Sequence, residues 1–494
     1  MQNPKKTYTN QEVEGYKKNI KEQALQIAFL QEELAQLKRM IFGSKSERFI
    51  AENDSQLSLF EAEQKERITP KEETISYNRK KASKDKNKAK RLFLPAHLPR
   101  EEELIEPYKI TESSKKIGEE VTEILEYNPG NLHVRRIVRP KYVNEQKGCE
   151  PQIIIAELPS LPIPKGNAGA GLLAHLMVSK FVDHLPFYRI RQQFKRQGVD
   201  LAESTMNGWY TSICKLLSPL YDTLIKETLK ADYLMADETP LPVLTKDKPG
   251  STHKGYHWVY VDPVNKNVCF DYRKGRGREG PKSFLKDFSG SLQTDGYVAY
   301  DEFGRDEKIT LLACMAHARR KFEQALDTNK SVAELALSKI QELYAIEREA
   351  KENNYSYLQR KELRQEKVAP LLEEFEQWLK KKISATLPKS KIGMAMSYTL
   401  KFWPRLKRYV DNGKYEIDNN LVENTIRPVA IGRKNYLFAG SHQGAQQAAI
   451  MYSFLGTCKL NKVEPFAWLK KVLEVIPEYK ANKLVELLPA NLIL

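Results

Sequence analysis

From Asp232 onward the chain orders its elements as strand, hairpin, helix, strand, strand, helix, and this order constrains the fold more than any other feature. Residues 233–237 are a short apolar run ending on Asp237. The runs 255–261 and 267–272 are aromatic and β-branched. Asp262, Pro263, Val264, Asn265 and Lys266 separate them with a turn composition. Pro281 is placed to open a short helix reaching Asp287, since proline suits a first helical turn. Residues 292–295 are the next strand, ending on Asp295, and residues 309–314 are another.

Three strands, a helix, a strand carrying an aspartate and a fifth strand follow the order of an RNase H-like mixed sheet. In such a sheet the strands bearing Asp237 and Asp295 are neighbours, so their carboxylates converge although distant in sequence. Glu423 lies inside a segment that reads as a helix, shortly after Asp418, Asn419 and Asn420. Hard divalent cations bind carboxylate oxygens, and a pair of them can clamp the attacking and leaving oxygens of an in-line phosphodiester displacement. Any one of these carboxylates alone reads as a solvated loop residue; the order of elements between them selects the set. Glu238 adjoins Asp237 but points to the opposite face if the strand continues, so it is left out.

The segments LPAHLPR (94–100), DHLPFYR (183–189), ADETP (236–240), TDGY (294–297) and AHARRKF (316–322) occur in this order. They are followed by Asp418, Asn419, Asn420, Glu423, Ile426, Arg427 and Pro428. On these motifs the chain resembles the large transposase of the insertion-sequence-66 family, a DDE-type enzyme, along nearly its whole length. The resemblance implies a catalytic triad on Asp237, Asp295 and Glu423, the residues that the pattern also selects. It implies two Mg²⁺ ions, with Mn²⁺ able to substitute, and double-stranded DNA, both element ends and target, as partner. Companion small proteins of the element are further candidate partners. The expected reaction is cleavage at the element's end to free a 3′-hydroxyl, which then attacks a target phosphodiester. An RNase H-like nuclease that never joins strands, and a DNA-binding regulator whose catalysis has decayed, are the competing readings. The heptads described below favour transposition, because two DNA ends must be held together.

A length of 494 residues exceeds one ordinary domain, and a formal charge of +16 favours a polyanionic partner. Five cysteines without close pairing suggest neither a disulfide framework nor secretion. No apolar run reaches the length of a membrane span, and Met1, Gln2, Asn3, Pro4, Lys5 and Lys6 begin no signal core. The expectation is a cytoplasmic, nucleoid-associated α+β protein of several domains.

Residues 1–50 read as a coiled coil. Val13, Ile20, Ile27, Leu34 and Ile41 recur every seven residues, with Tyr16, Gln23, Leu30 and Leu37 offset by three. A homodimer or higher oligomer through residues 13–41 follows, with an amphipathic helix folded onto its own chain as the alternative. Residues 51–91 read as a disordered linker, with eight basic residues and one acidic one between Arg79 and Arg91. Residues 92–162 read as a small β-rich module. Relatives in the family carry a zinc-binding module here, built on two cysteine pairs. This chain has Lys109, Ile110, Thr111, Glu112 and Ser113 at the first pair and only Cys149 near the second. One thiolate cannot replace a four-ligand site, so no zinc is expected. His97 and His133 are taken as structural.

Residues 163–230 are helical in pattern: 187–197, Gly198, then 203–217, with Ser204 or Thr205 placed to cap the second helix. This fits a helix-turn-helix DNA reader and, better, a helical bundle flanking the sheet. The expected core begins at residues 231–327, a helical insertion occupies 328–415, the glutamate helix and a basic strip 416–440, and further helices 441–494. His317, Arg319, Arg320, Lys321, Asn420, Arg427, Arg433 and Lys434 are candidate DNA contacts, a buried histidine and solvated cations being the competing account.

The heptads generate a direct test. Lysine at both Ile27 and Leu34 faces charges across a two-stranded seam and should dissociate the subunits, abolishing joining of two ends while one end still binds. Sedimentation of residues 1–50 as a monomer at every concentration would leave the solitary amphipathic helix standing.

Overall fold

The computed structural model describes residues 168–245 and 250–493, strands at 141–144 and 152–155, and isolated positions (23, 130, 132, 160–164, 166). The expected coiled coil, the basic linker, most of the β-rich module and Cys149, His97 and His133 lie outside the described residues. The chain divides into two compact units, Met1–Asn53 with Lys141–Leu494, and Asp54–Pro140. The elements below belong to the first. Strands β1 (Lys141–Asn144) and β2 (Gln152–Ile155) pair antiparallel, Lys141 opposite Ile155.

The centre of the unit is a five-stranded mixed sheet. Its strands are β3 (Tyr233–Leu244), β4 (Thr252–Asp262), β5 (Asn267–Arg273), β6 (Gly290–Thr294) and β7 (Ile309–Ala313), in the spatial order β5-β4-β3-β6-β7. The β3/β4 and β4/β5 pairs are antiparallel; β3/β6 and β6/β7 are parallel. The β4–β5 turn forms as its composition predicts, with Asp262 Oδ1 accepting the Val264 and Asn265 N–H groups, each at 2.9 Å. Helix α4 (Glu279–Phe284) follows β5, starting two residues before Pro281 and ending earlier than expected.

β3 departs from expectation in a way that matters. It does not end at Asp237 but continues through Pro240 and Pro242 to Leu244. Its partner β6 covers only Tyr233–Met235, whereas β4 pairs with Met235–Leu244. Beyond Met235 one edge of β3 is therefore free of strand, which is where proline is tolerated. Helix α10 (Asn420–Tyr436) and the turn after it occupy that edge. Asn419 Nδ2 donates to the Ala236 carbonyl (3.0 Å), Arg433 to the Pro240 carbonyl, and Ala439 N–H to the Pro242 carbonyl (2.9 Å). Leu437 takes φ +60°, and this sharp reversal at the helix end brings Ala439 beside Val243.

The other end of the sheet is closed too. β5 is an edge strand, and helix α11 (His442–Asn461) lies across it, Ser453 and Thr457 hydroxyls accepting the Phe270 and Val268 N–H groups at 2.8 and 3.0 Å. Helices α1 (Ala170–Phe181), α2 (Phe187–Arg196), α3 (Glu203–Leu229) and α12 (Pro465–Val475) complete the main core with Trp209, Phe270, Phe454 and Trp468. Neither Ser204 nor Thr205 caps α3: its N-cap is Ala202, with no side-chain bond, and the helix runs on through Pro219.

After β7 comes α5 (Met315–Glu323), then a helical block of α6 (Lys330–Glu352), α7 (Tyr357–Leu363), α8 (Ala369–Ile383) and α9 (Lys391–Leu406). This block has its own core, with Leu337, Ile340, Phe375 and Trp403. A fully buried Arg364 ties it together. The guanidinium donates to Glu347 (2.7 Å) and to the carbonyls of Tyr409 (2.8 Å), Asn412 (2.9 Å) and Tyr415 (2.8 Å), while Arg360 bridges Glu347 and Glu416. Burial alone would raise the Glu347 carboxyl, but its bonds to Arg364 and the two guanidinium charges outweigh it and hold the group below its ordinary value. Its contribution to stability is therefore complete above the ordinary glutamate range and lost as pH falls through the depressed value.

Arg364→Met should lower the unfolding free energy by about 3–5 kcal/mol, because it removes one of the two guanidiniums that hold the buried Glu347 and leaves three carbonyls without their donor. Urea unfolding measures this; a loss under 1 kcal/mol would mean that water replaces the guanidinium.

Candidate active site

The last β3–β6 pair is Met235 opposite Gln293, so two residues further on Asp237 and Asp295 stand at matching positions. Asp295 is the first residue after β6, whereas Asp237 is the fifth residue of β3. The strands part here, which opens space between neighbours otherwise about 4.8 Å apart. Gly296 follows with φ +88°, a conformation that favours glycine, and an added Cβ would lie 2.7 Å from the Phe402 ring. The turn is thus fitted against the helical block, and Tyr398 of α9 donates to the Asp295 carbonyl at 2.9 Å.

Glu423 arrives by a different route. Asn419 is fully buried at the foot of α10, its N–H on Cys314 Sγ (3.1 Å) and its amide on the Ala236 carbonyl. That clamp fixes the start of the helix one residue from Asp237, and Glu423 follows one turn later. Burial raises the Asp237 carboxyl well above the usual range, and the charges of Asp295, Glu238 and Glu423 add to the effect. Asp237 therefore lies within electrostatic reach of both other expected carboxylates.

Each carboxylate is engaged locally. Asp237 Oδ1 accepts the Glu238 N–H at 2.8 Å, and Asp295 Oδ1 the Tyr297 N–H at 2.8 Å. Arg320 Nη2 of α5 lies 3.3 Å from Glu423 Oε2, and His317 Nε2 lies 3.9 Å from Glu423 Oε1. Burial and then Arg320 lower the His317 pKa, against the opposing pull of Asp295 and Glu423. Among the described residues no three His, Cys, Asp or Glu side chains stand close enough, as placed, to hold a metal ion. The donor chemistry nevertheless fits a hard divalent cation: carboxylate oxygens on three elements, one of them buried and destabilised as an anion by its neighbours.

The other candidate residues divide. Arg319 pairs with Glu323 of its own helix at 3.4 Å, and Lys321 lies over the Tyr398 ring at 5.6 Å. Asn420 turns to Asp418 (2.7 Å) rather than to Glu423, and Asp418 is also held by the Tyr344 hydroxyl at 2.8 Å. Arg433 is committed to the β3 edge, whereas Arg427 and Lys434 are exposed on α10; the basic strip is thus part of that helix. Sequence reasoning missed two residues. Asn419 was passed over for Asn420, though only a structure reveals the carbonyl it meets. Glu238 does face away from Asp237, yet its carboxylate is buried, paired with Arg276 (2.8 Å), and near enough to Asp295 to be raised by it after burial itself.

The family described as "Transposase IS66 family" matches residues 165–447, more than half of the chain and the whole of this site. The chain belongs to the IS66 transposase family. "IS66 C-terminal element" matches residues 453–490, and "Transposase C of IS166 homeodomain" matches 29–102. Two relatives from Sinorhizobium fredii (strain NBRC 101917 / NGR234) bear the names "Uncharacterized protein y4jD" and "Uncharacterized protein y4qI". The first is 32% identical over 485 residues, covering 94% of each chain. The second is 34% identical over 491 residues, covering 94% of this chain and 89% of its own. Membership in this DDE transposase family makes the chain a nucleic-acid-processing enzyme with DNA as the implied partner, in a class that generally uses divalent metal ions. No helix among the described residues is long and apolar enough to cross a membrane.

Asn419→Ala should cost about 1–3 kcal/mol, since the Ala236 carbonyl loses its buried donor. It should also slow DNA cleavage while the protein remains folded at ambient temperature. Thermal unfolding and a cleavage assay read both; unchanged cleavage would show that the clamp does not position Glu423.

Proposed function

We propose that the sheet is an RNase H-like core in which Asp237, Asp295 and Glu423 form the catalytic triad for cutting the element's ends and joining them to target DNA. One observation carries this reading: the β3–β6 register sets the two aspartates side by side where the strands part, with Glu423 in electrostatic reach of Asp237. Two Mg²⁺ ions held by the three carboxylates would supply Lewis-acid activation of the attacking oxygen and neutralise charge on the leaving oxygen.

The protein's own groups hold and orient the DNA. Arg320 and His317 border Glu423 and are placed to meet the phosphates flanking the scissile bond, Arg320 through a planar fork of donors. Arg319, Lys321, Arg427 and Lys434 extend that basic surface along α5 and α10. The helical block between β7 and α10 shapes the DNA channel, since its Tyr398 and Phe402 brace the Asp295 turn. In the first step water attacks the end phosphodiester, leaving a 3′-hydroxyl; in the second that hydroxyl attacks a target phosphodiester and expels the target's 3′ oxygen. Residues 13–41 pair the subunits that present two ends together.

Asp237→Asn, Asp295→Asn and Glu423→Gln should each abolish cleavage of labelled DNA carrying the element's ends, with binding largely intact. Each change preserves size and removes a charge that holds metal. Near wild-type cleavage by one variant would remove that residue from the triad, and for Glu423 the replacement to test is Asp418.

A further inference from the structure

Two motifs lie outside the proposed triad: residues 183–189 and the segment Gly440, Ser441, His442, Gln443, Gly444. Phe187 of the first contacts Lys180, and Lys180 lines a pocket together with Gly440, Ser441, Gln443 and Gly444 of the second. It opens on the face of β3 that carries Asp237 and is lined by Lys180, Asn207, His257, Tyr436, Ser441 and Gln443, among others. Among the described residues no aspartate or glutamate lines it. The N-terminal end of the 20-residue α11 opens onto it, with Ser441 as the N-cap accepting the Gly444 N–H. The positive end of a helix dipole and a lysine thus share an acid-free cavity.

Lys180 is the informative residue. Its ammonium contacts the rings of Phe187 (4.5 Å) and Tyr436 (4.6 Å), and no carboxylate among the described residues pairs with it. Burial lowers its pKa to about 8, so the site holds a desolvated cation that an anion would stabilise. His257 adds a fully buried ring nitrogen, Nδ1, without a hydrogen-bond partner.

We propose that this pocket binds a backbone phosphate of the DNA strand running through the active site, with Lys180 as its cation and the start of α11 as its second source of positive potential. The proposal rests on the DNA-processing reading above and extends it to a second contact point. Leu241 lines the pocket and lies four residues beyond Asp237 on the same face, roughly 13 Å away at about 3.3 Å per residue. A strand whose scissile phosphate sits at the carboxylates passes the pocket a short way further on. The pocket would set the register of the strand relative to Asp237 without reading its sequence.

The test is binding of the full chain to a labelled duplex across a series of KCl concentrations, without divalent ions, so that it is independent of cleavage. Lys180→Met should flatten the log–log salt dependence by about 0.9, the loss of one phosphate contact, with no fall in thermal midpoint. Gln443→Glu, an exposed position at the mouth, should weaken binding by charge alone. DNA should slow acylation of Lys180, and an equal concentration of inorganic phosphate should not. An unchanged salt slope in a folded Lys180→Met protein overturns the proposal; so does protection by inorganic phosphate with the DNA slope unaltered. Asp237→Asn should keep the wild-type slope, so failure of the triad reading and failure of this one are separable.

Discussion

The free edge of β3 is the constraint on which the site depends. A strand edge inside a protein must have its carbonyls satisfied, and β6 satisfies them only as far as Met235. Beyond that point Asn419, Arg433 and Ala439 take over, all from one helix and its following turn. Because those three contacts are spaced along the strand, they fix the helix in position and direction together. Glu423 is carried to the aspartates as a consequence of satisfying backbone groups. The two prolines belong to the same arrangement, since each presents a carbonyl to that edge but no N–H, whereas Leu244 keeps its N–H and donates it to the Ala439 carbonyl at 2.9 Å.

The positions of Asp295 and Glu423 were legible because each depends on local pattern: a strand ending in Asp-Gly-Tyr, and a helix following a polar, asparagine-rich start. The order of strands was legible for the same reason, since hairpin and helix signals are short-range. The length of β3 was not. The apolar run reads as ending on Asp237, and only the absence of a neighbouring strand on one side makes Pro240 and Pro242 compatible with its continuation. Asn419 and Arg433 were illegible too, the first overlooked and the second taken for a DNA contact, because their partners lie about 180–190 residues earlier in the chain. The missing cap at α3 is a milder case: Ser204 and Thr205 are near the helix start, but the chain enters one residue before them, at Glu203.

The electrostatics of the site explain why cations gather round it. Asp237 is disfavoured as an anion by burial and by three neighbouring carboxylates. Without compensation such a cluster would either take up protons or loosen. Arg320 beside Glu423 and Arg276 beside Glu238 offset part of that charge from opposite faces of the sheet. Both are arginines, whose forked donors can satisfy carboxylate or phosphate with little change of position. On the proposed reading, divalent ions would relieve the carboxylates and leave these guanidiniums to the DNA, so the same residues would serve the protein with and without substrate.

The junction between α10 and α11 links the carboxylate site to the Lys180 pocket. Its residues Leu437 to Ser441 follow the helix that bears Glu423, include Ala439 bonded to the β3 edge, and end at the cap of α11. Any displacement of α10 along β3 would shift both Glu423 and the mouth of the pocket, because Ala439 couples the helix to the strand between them. On the proposed reading, a rigid connection of this kind would suit an enzyme that uses one site for two successive displacements. The incoming 3′-hydroxyl and the target phosphate would then have to be registered against the same carboxylates, and a phosphate held in the proposed pocket, at a fixed distance along the strand, would limit the positions the backbone can take.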